Sequence, residues 1–184
     1  MKKYILVLGI LILGINLSAQ KYSTKNGYVG FFSSTPVEDI KADNNQVASI
    51  IDASNGDMVF QVLIRSFHFE KKLMEEHFNE NYMESEQFPK AIFKGKISNI
   101  AEVDFAKPGI YPVKVEGEMS MHGVSNAFAT AGTLEVLSDG IEAVSKFMIR
   151  PEDYGIKIPG IVRNKIAENI EVSVRIKYSG KQNN

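Results

Sequence analysis

The chain has 184 residues, of which 44% are hydrophobic and 23% charged, and its formal net charge is −1. This length is enough for one domain with a substantial core. The balanced charge, with no basic run longer than a lysine pair, excludes the electrostatic pattern of nucleic-acid-binding proteins. Trp and Cys are absent, whereas Phe reaches 11 and Tyr 7. Phe therefore supplies most of the large apolar volume, and the core holds the fold without disulfides.

Residues 1–19 have the pattern of a cleaved signal peptide. A lysine pair begins the segment, an apolar run covers residues 4–17, and residues 18–20, Ser-Ala-Gln, offer a small-residue cleavage site. The alternative is a membrane anchor, but the run is short for a span of about 20 residues and no cationic stop follows it. We therefore expect a soluble periplasmic or secreted bacterial protein, with no stable membrane insertion after cleavage.

The rest of the chain has no linker, low-complexity run or clear internal repeat. We predict one domain over residues 20–178, followed by a polar tail at residues 179–184. In the first part of the domain, alternation of apolar residues predicts strands over residues 22–34, 37–42, 47–53 and 58–67. Tight turns are predicted at residues 43–45, Asp-Asn-Asn, and 54–57, Ser-Asn-Gly-Asp, because Asn and Asp tolerate positive φ and Asn-Gly favours hairpins.

A single helix interrupts the strands. Between residues 66 and 97 the hydrophobic period changes from two to about 3.6 and back again. Met74, Phe78 and Tyr82 recur every fourth residue, which predicts one face of a short amphipathic helix. Phe88 is followed by a proline, which pushes it to an extended conformation and ends the helical segment.

The second half of the domain again reads as β. Strands are predicted over residues 91–100, 110–122, 127–137, 141–150 and 170–178, with an irregular segment at residues 151–163. About eight strands with mostly hairpin-length links favour an all-β fold that closes into an antiparallel barrel, with one short helix inserted between strands. A barrel of this size is either filled by its own side chains or holds one small ligand.

Motifs for catalysis and metal binding are weak. His68, His77 and His122 lack the short fixed offsets of a zinc site such as H-E-x-x-H. Residues 123–127 loosely resemble the G-x-S-x-G nucleophile elbow, but that motif needs a helix after the strand, and here another strand is predicted. We expect no metal and no cofactor. A hydrolase that uses His122 with Ser125 is the alternative from the enzyme class.

The unusual feature is a set of large apolar residues on the predicted strand faces and helix. Taken singly, each is better explained as core, and a structural or stress protein with a solid core is a further alternative. Taken together, and beside small residues, they can line an elongated apolar cavity. The large residues are Phe60, Phe67, Phe69, Phe78, Tyr82, Phe88, Phe93, Met119, Met121 and Phe147, and the small ones are Gly30, Gly95, Gly117, Ala129, Ala131 and Ala143.

Four segments together resemble the YceI-like family of bacterial exported proteins. They are residues 66–69 (Ser-Phe-His-Phe), 82–95 (Tyr-Met-Glu-Ser-Glu-Gln-Phe-Pro-Lys-Ala-Ile-Phe-Lys-Gly), 117–124 (Gly-Glu-Met-Ser-Met-His-Gly-Val) and 153–156 (Asp-Tyr-Gly-Ile). The resemblance covers about residues 31–178. It implies an extended, lipocalin-like antiparallel barrel that carries a long isoprenoid or similar amphiphile, with no metal and no catalysis.

Site residues follow from this resemblance only as a set of apolar positions. It implies ligand-lining roles for Phe60, Phe67, Phe69, Phe78, Phe93, Met119, Met121 and Phe147. The region before residue 60 departs from many members, since it lacks their usual Trp and His. We predict non-catalytic binding, transport or storage of a polyisoprenoid or similar lipid, with Arg65, His122 or Arg150 near its head group. The oligomeric state is left open between a monomer and a homodimer.

Overall fold

The computed structural model of the chain describes residues 21–179. The predicted signal peptide and residues 180–184 of the predicted polar tail lie outside these described residues. Eight long antiparallel strands close into a barrel, and one short helix lies between two of them. The predicted fold class is therefore confirmed. Within residues 21–179, no helix is long and apolar enough to cross a membrane.

The barrel strands follow one another as antiparallel neighbours, and closure comes from the pairing of β1 with β2. A two-residue strand, β4, adds to β2 beside the helix, and α1 continues into a π-helical turn. The strands are β1 Lys21–Ser34, β2 Asp39–Asp52, β3 Asp57–Leu63, β4 His68–Phe69, β5 Lys90–Ile97, β6 Gly109–Met121, β7 Val124–Val136, β8 Gly140–Ile149 and β9 Ile170–Ser179. The helical elements are α1 Lys72–His77, the π-helical turn Phe78–Tyr82, and 3-10 turns at Ile64–Ser66, Ile100–Glu102, Pro151–Tyr154 and Gly160–Val162.

The Asp-Asn-Asn segment at residues 43–45 is not a turn, so this part of the sequence prediction is wrong. β2 runs through it unbroken, and the register with β1 shifts beside Gly27, as in a β-bulge. Asn44 is fully buried; its Nδ2 donates to the Leu63 carbonyl at 2.9 Å, and its Oδ1 accepts from the Gln46 N–H at 2.8 Å. Gln46 lies where the pairing with β1 is interrupted, and the Asn44 side chain supplies a partner for its N–H, so the strand continues where turn residues stand.

The β6–β7 hairpin turns at His122 and Gly123, whose φ angles are +52° and +76°. Two successive positive φ angles are the geometry of the tightest hairpin turns. The segment that resembles a nucleophile elbow is therefore a strand–turn–strand hairpin, as expected from the sequence. A Cβ on Gly123 would lie 2.7 Å from the Phe88 ring, so glycine is required by close approach as well as by conformation.

Tight packing fills the end of the barrel that carries the β2–β3 and β7–β8 turns. The Tyr178 hydroxyl is hydrogen-bonded to the Ser49 hydroxyl at 2.6 Å, and burial raises the pKa of Tyr178. Tyr22 stacks on Phe105 with ring centroids 5.9 Å apart. The fully buried side chains here are Ile51, Ile97, Leu134, Ile141, Ile176 and Tyr178. This end is a solid core, which leaves the opposite end, under the helix, to contain any cavity.

Candidate functional site: an apolar cavity in the barrel

An elongated cavity occupies the middle of the barrel and extends towards the helix. Its volume is about 480 Å³, within the range of about 300–1,000 Å³ typical of small-molecule sites. On β6 alone it is lined from Val113 to Met121, which at about 3.3 Å per residue spans roughly 26 Å of strand. Ile51 and Leu134 lie at its inner end, where the solid core begins. The shape suits a long, narrow ligand.

Four phenylalanine rings, which we call the roof, cover the helix end of the cavity. They are Phe31 from β1, Phe67, Phe69 from β4 and Phe78 from the π-helical turn. Their ring centroids lie between 5.1 and 5.7 Å apart. Contacts at these distances stabilise aromatic clusters beyond the burial of their area. The helical segment packs on the barrel through the roof, because the apolar stripe of that segment contributes Phe78.

A second set of rings, which we call the girdle, crosses the cavity wall. Phe60, Phe93, Phe128 and Phe147 come from β3, β5, β7 and β8, with successive centroid distances of 6.4, 5.9 and 4.8 Å. The Phe93 ring lies over the directly paired glycines of β5 and β6, where a Cβ on either glycine would meet it at 2.5 or 2.9 Å. The two glycines therefore make room for the ring.

All eight residues predicted to line the ligand site do line this cavity: Phe60, Phe67, Phe69, Phe78, Phe93, Met119, Met121 and Phe147. Their contact with a ligand stays a prediction. Phe31 and Phe128 line the cavity as well, and sequence reasoning missed both. The signal was present for Phe128, because it shares the alternation of Thr130, Gly132 and Leu134, which also line the cavity.

Some residues assigned to the interior lie elsewhere. Ala129 and Ala131 are exposed on the outer face of β7, because the alternation turns Phe128 and its neighbours inward. Gly30 lies beneath the Tyr28 side chain, on the opposite face of β1 from Phe31. Among the large apolar residues, Phe88 does not line the cavity.

The cavity wall has few polar groups. At the helix end, Glu38 forms an ion pair with Lys71 at 3.1 Å, and Lys165 and His77 lie at the opening. The buried Ser33 hydroxyl accepts a hydrogen bond from the Ala167 N–H at 2.9 Å, which fixes the segment that leads into β9. The wall thus offers apolar contact along most of its length and charged groups only at its opening.

Among residues 21–179, the hydrogen bonds of His122 and Ser125 go to other partners and not to each other. The His122 Nε2 contacts the Glu84 carboxylate at 2.8 Å, and its Nδ1 contacts the Tyr154 carbonyl at 3.2 Å. The Ser125 hydroxyl instead shares a hydrogen bond with the Ser120 hydroxyl at 2.5 Å. These contacts hold the β6–β7 turn against the segment after α1 and against the 3-10 turn after β8. Among residues 21–179, no group of three His, Cys, Asp or Glu side chains is placed to hold a metal ion.

None of the three residues predicted to lie near a head group lines the cavity. Arg65 pairs with Glu86 at 2.9 Å on the surface and does not line the cavity. His122 lies beneath the Phe88 ring, with centroids 4.6 Å apart, and does not line it either. Arg150 borders a polar groove outside the barrel wall, between β7 and β8.

Known proteins share this architecture. The family model of the YceI-like domain matches residues 17–178. A polyisoprenoid-binding domain from Saccharophagus degradans, implicated in plant cell wall breakdown, superposes with a TM-score of 0.76 at 16% identity, covering 88% of this chain and 99% of that one. The BcnA protein of Burkholderia cenocepacia superposes with a TM-score of 0.67 at 11% identity, covering 81% of this chain and 94% of that one. The YCEI protein of Campylobacter jejuni superposes with a TM-score of 0.55 at 13% identity, covering 99% of this chain and 100% of that one.

The sequence identities to these three structures are low, so the superpositions show the fold alone. No curated protein matches the sequence at a significant level. The family model, however, covers nearly the whole barrel from its first strand to its last. The resemblance found in the sequence is thereby confirmed, and the chain belongs to the YceI-like family.

Proposed function

We propose that the protein binds a long apolar amphiphile, a polyisoprenoid or similar lipid, inside the barrel, and that it transports or stores this ligand without catalysis. The observation that carries the proposal is the elongated cavity of about 480 Å³, walled by the roof, the girdle and aliphatic side chains. The polyisoprenoid-binding domain from Saccharophagus degradans, which has the same fold, supports the choice of ligand class.

Burial of an apolar chain supplies enough free energy for useful affinity. Each methylene group removed from water contributes about 0.8 kcal/mol, so ten such groups contribute about 8 kcal/mol before the cost of association. A net free energy of about 8 kcal/mol corresponds to a micromolar dissociation constant. A ligand of only two isoprene units therefore falls short of this affinity, and longer chains that extend to Leu134 are favoured.

The test is to extract the purified protein with organic solvent and to identify what it carries by mass spectrometry. We expect close to one long-chain amphiphile per protein molecule after expression of the chain with residues 1–19 included. If the extract contains no lipid, and stripped protein also fails to bind added geranylgeraniol, the carrier function is contradicted. Ala101→Leu, on an exposed turn at the solid end, is the control that should retain the ligand.

We also propose that this carrier works in the periplasm or outside the cell. The N-terminal lysine pair, apolar run and Ser-Ala-Gln sequence support export followed by cleavage. An extracellular or periplasmic carrier of an insoluble chain needs no disulfide, since the barrel core is extensive. N-terminal sequencing of the protein from a periplasmic extract should begin at Gln20 or within a residue or two of it, whereas an intact Met1 would contradict export with cleavage.

A further inference from the structure

The barrel wall is split between β7 and β8. These strands pair only from Gly132–Ser145 to Val136–Ile141. Beyond this short ladder, residues 124–131 of β7 pair with β6 alone, and residues 146–149 of β8 pair with β9 alone. Within residues 21–179, no other strand fills the space between the two edges. The wall therefore opens on one side, in the half of the barrel that contains the cavity.

Backbone groups point into this split without ladder partners. The Ser145 hydroxyl donates to the Ala131 carbonyl at 2.8 Å, so the backbone of Ala131 faces β8. Because the direction of backbone groups alternates along a strand, those of Ala127 and Ala129 face the split as well. Backbone N–H and C=O groups need polar partners. Water or a polar ligand group must therefore occupy the outer part of the split.

The split connects the cavity with a groove on the outside. Phe128 and Ile149 line both spaces. The rings of Phe128 and Phe147 meet across the split with centroids 4.8 Å apart and planes at 67°. Aromatic side chains, rather than a backbone ladder, thus separate the apolar interior from the groove. Side-chain rotation is far faster than strand separation, so this part of the wall can open locally.

The groove is polar and carries no surplus of positive charge. The Asn126 amide donates to the Asp153 carbonyl at 2.8 Å, and Tyr154 lines the same groove. Burial raises the pKa of Tyr154, as does the nearby Asp153 carboxylate, so this phenol stays protonated.

The charged groups of the groove argue against an anionic ligand. Arg150 already pairs with Glu152 at 3.2 Å and Glu168 at 3.0 Å. The Asp153 carboxylate has no ion pair among the described residues. A phosphate or carboxylate placed here would meet Asp153 without an unpaired cation to neutralise it. An uncharged group that both donates and accepts hydrogen bonds would instead match the free backbone groups of the split.

We propose that the split between β7 and β8 is a side opening of the cavity, and that its groove holds an uncharged hydrogen-bonding head group such as a primary alcohol. The apolar chain passes between Phe128 and Phe147 into the cavity, and the head group stays among Asn126, Tyr154 and the free backbone groups. This inference rests on the proposed function, because it assigns the site at which the ligand of that cavity is admitted and held.

The natural absence of cysteine allows the opening to be blocked at one chosen position. Ala127→Cys places a thiol in the groove for labelling with fluorescein maleimide, and Ala101→Cys provides a labelled control at the far end of the barrel. Uptake of geranylgeraniol from phosphatidylcholine vesicles is then followed by mass spectrometry of the protein fraction. We expect the label at residue 127 to slow uptake about tenfold or more, and the label at residue 101 to change it less than about twofold.

Lys165→Cys, labelled in the same way, tests uptake through the opening beside the helix. If the label at residue 165 slows uptake and the label at residue 127 does not, the side opening is overturned. The carrier function stays intact in that case. If unlabelled protein takes up no geranylgeraniol at all, the proposed function fails, and this inference fails with it. The two failures are therefore distinguishable.

The head-group assignment has its own measurement. Stripped protein should bind geranylgeraniol about tenfold or more tightly than geranylgeranyl diphosphate, which has the same chain. Asp153→Asn should narrow this difference several-fold by removing the repulsive carboxylate. Equal binding of the two ligands, or tighter binding of the diphosphate by the unaltered protein, overturns the assignment of an uncharged head group.

Discussion

Substitution of Ala143 by leucine should shorten the cavity without unfolding the barrel. Ala143 lies on β8 directly opposite Leu134, and both line the inner part of the cavity. The leucine adds three carbon atoms where the end of a long chain would lie. If they displace three methylene-sized groups of the ligand, each worth about 0.8 kcal/mol, binding weakens by about 2.4 kcal/mol, or roughly 60-fold in the dissociation constant.

The effect should depend on the length of the ligand. Geranylgeraniol, which extends to the inner end, should lose close to the full amount, whereas geraniol should lose little because its shorter chain ends before residue 143. Titration calorimetry on stripped protein measures both ligands, with Ala101→Leu as the surface control. Circular dichroism and thermal melting should show a folded variant whose free energy of unfolding stays within about 1 kcal/mol of the parent, since the new side chain fills open space.

Two results would refute this reasoning. An unchanged dissociation constant for geranylgeraniol in a folded Ala143→Leu protein would show that the chain does not reach this part of the barrel. An equal loss for geraniol and geranylgeraniol would show that the substitution acts through the fold and not by shortening the space. In either case the volume assigned to the ligand would be wrong.

Three further predictions concern the framework of the barrel. Leu134→Ala, at a fully buried position, should lower the free energy of unfolding by about 2–5 kcal/mol in urea titrations; a loss below about 1 kcal/mol would contradict tight packing there. Gly123→Ala should cost about 1–3 kcal/mol, because φ is +76° and the added Cβ would lie 2.7 Å from the Phe88 ring; an unchanged melting temperature would contradict this strain. The hydrogen bond to Asp43 raises the pKa of Tyr28 to about 12 from 10.0, so its stabilisation is lost as pH rises from about 10 to 12; Tyr28→Phe should reduce this alkaline loss, and an identical pH profile would contradict the coupling.

Side-chain direction along regular strands could be predicted because it depends on local alternation alone. On β6, the period of two places Val113, Val115, Met119 and Met121 on the cavity face whatever strands lie beside it. The helix followed in the same way from the spacing of its apolar stripe. The hollow interior was predicted from the family resemblance, because the alternation of apolar residues is the same in a hollow barrel and in a packed one.

Features that depend on distant partners could not be predicted. Asn44 looks like a turn residue, but its side-chain amide donates to the Leu63 carbonyl on β3, and this distant partner keeps the segment in a strand. Phe128 was overlooked because its strand was interpreted through its alanines, which face outward. The split between β7 and β8 leaves no local trace, since each edge alternates as regularly as a paired strand. Its presence depends on how far two separate segments stay in register.

Methionine-methyl NMR with geranylgeraniol is the most direct test of a chain held inside the barrel. Met58, Met119 and Met121 line the cavity, whereas Met148 is 55% exposed on the outer face. Intermolecular NOEs should connect the methyl group at the far end of the ligand chain with Met58, which pairs with Ile51 at the inner end, and carbon atoms nearer the head group with Met119, which pairs with Asn126. Contacts of that terminal group with Met148 alone, or no contact with any of these methyl groups, would contradict the account.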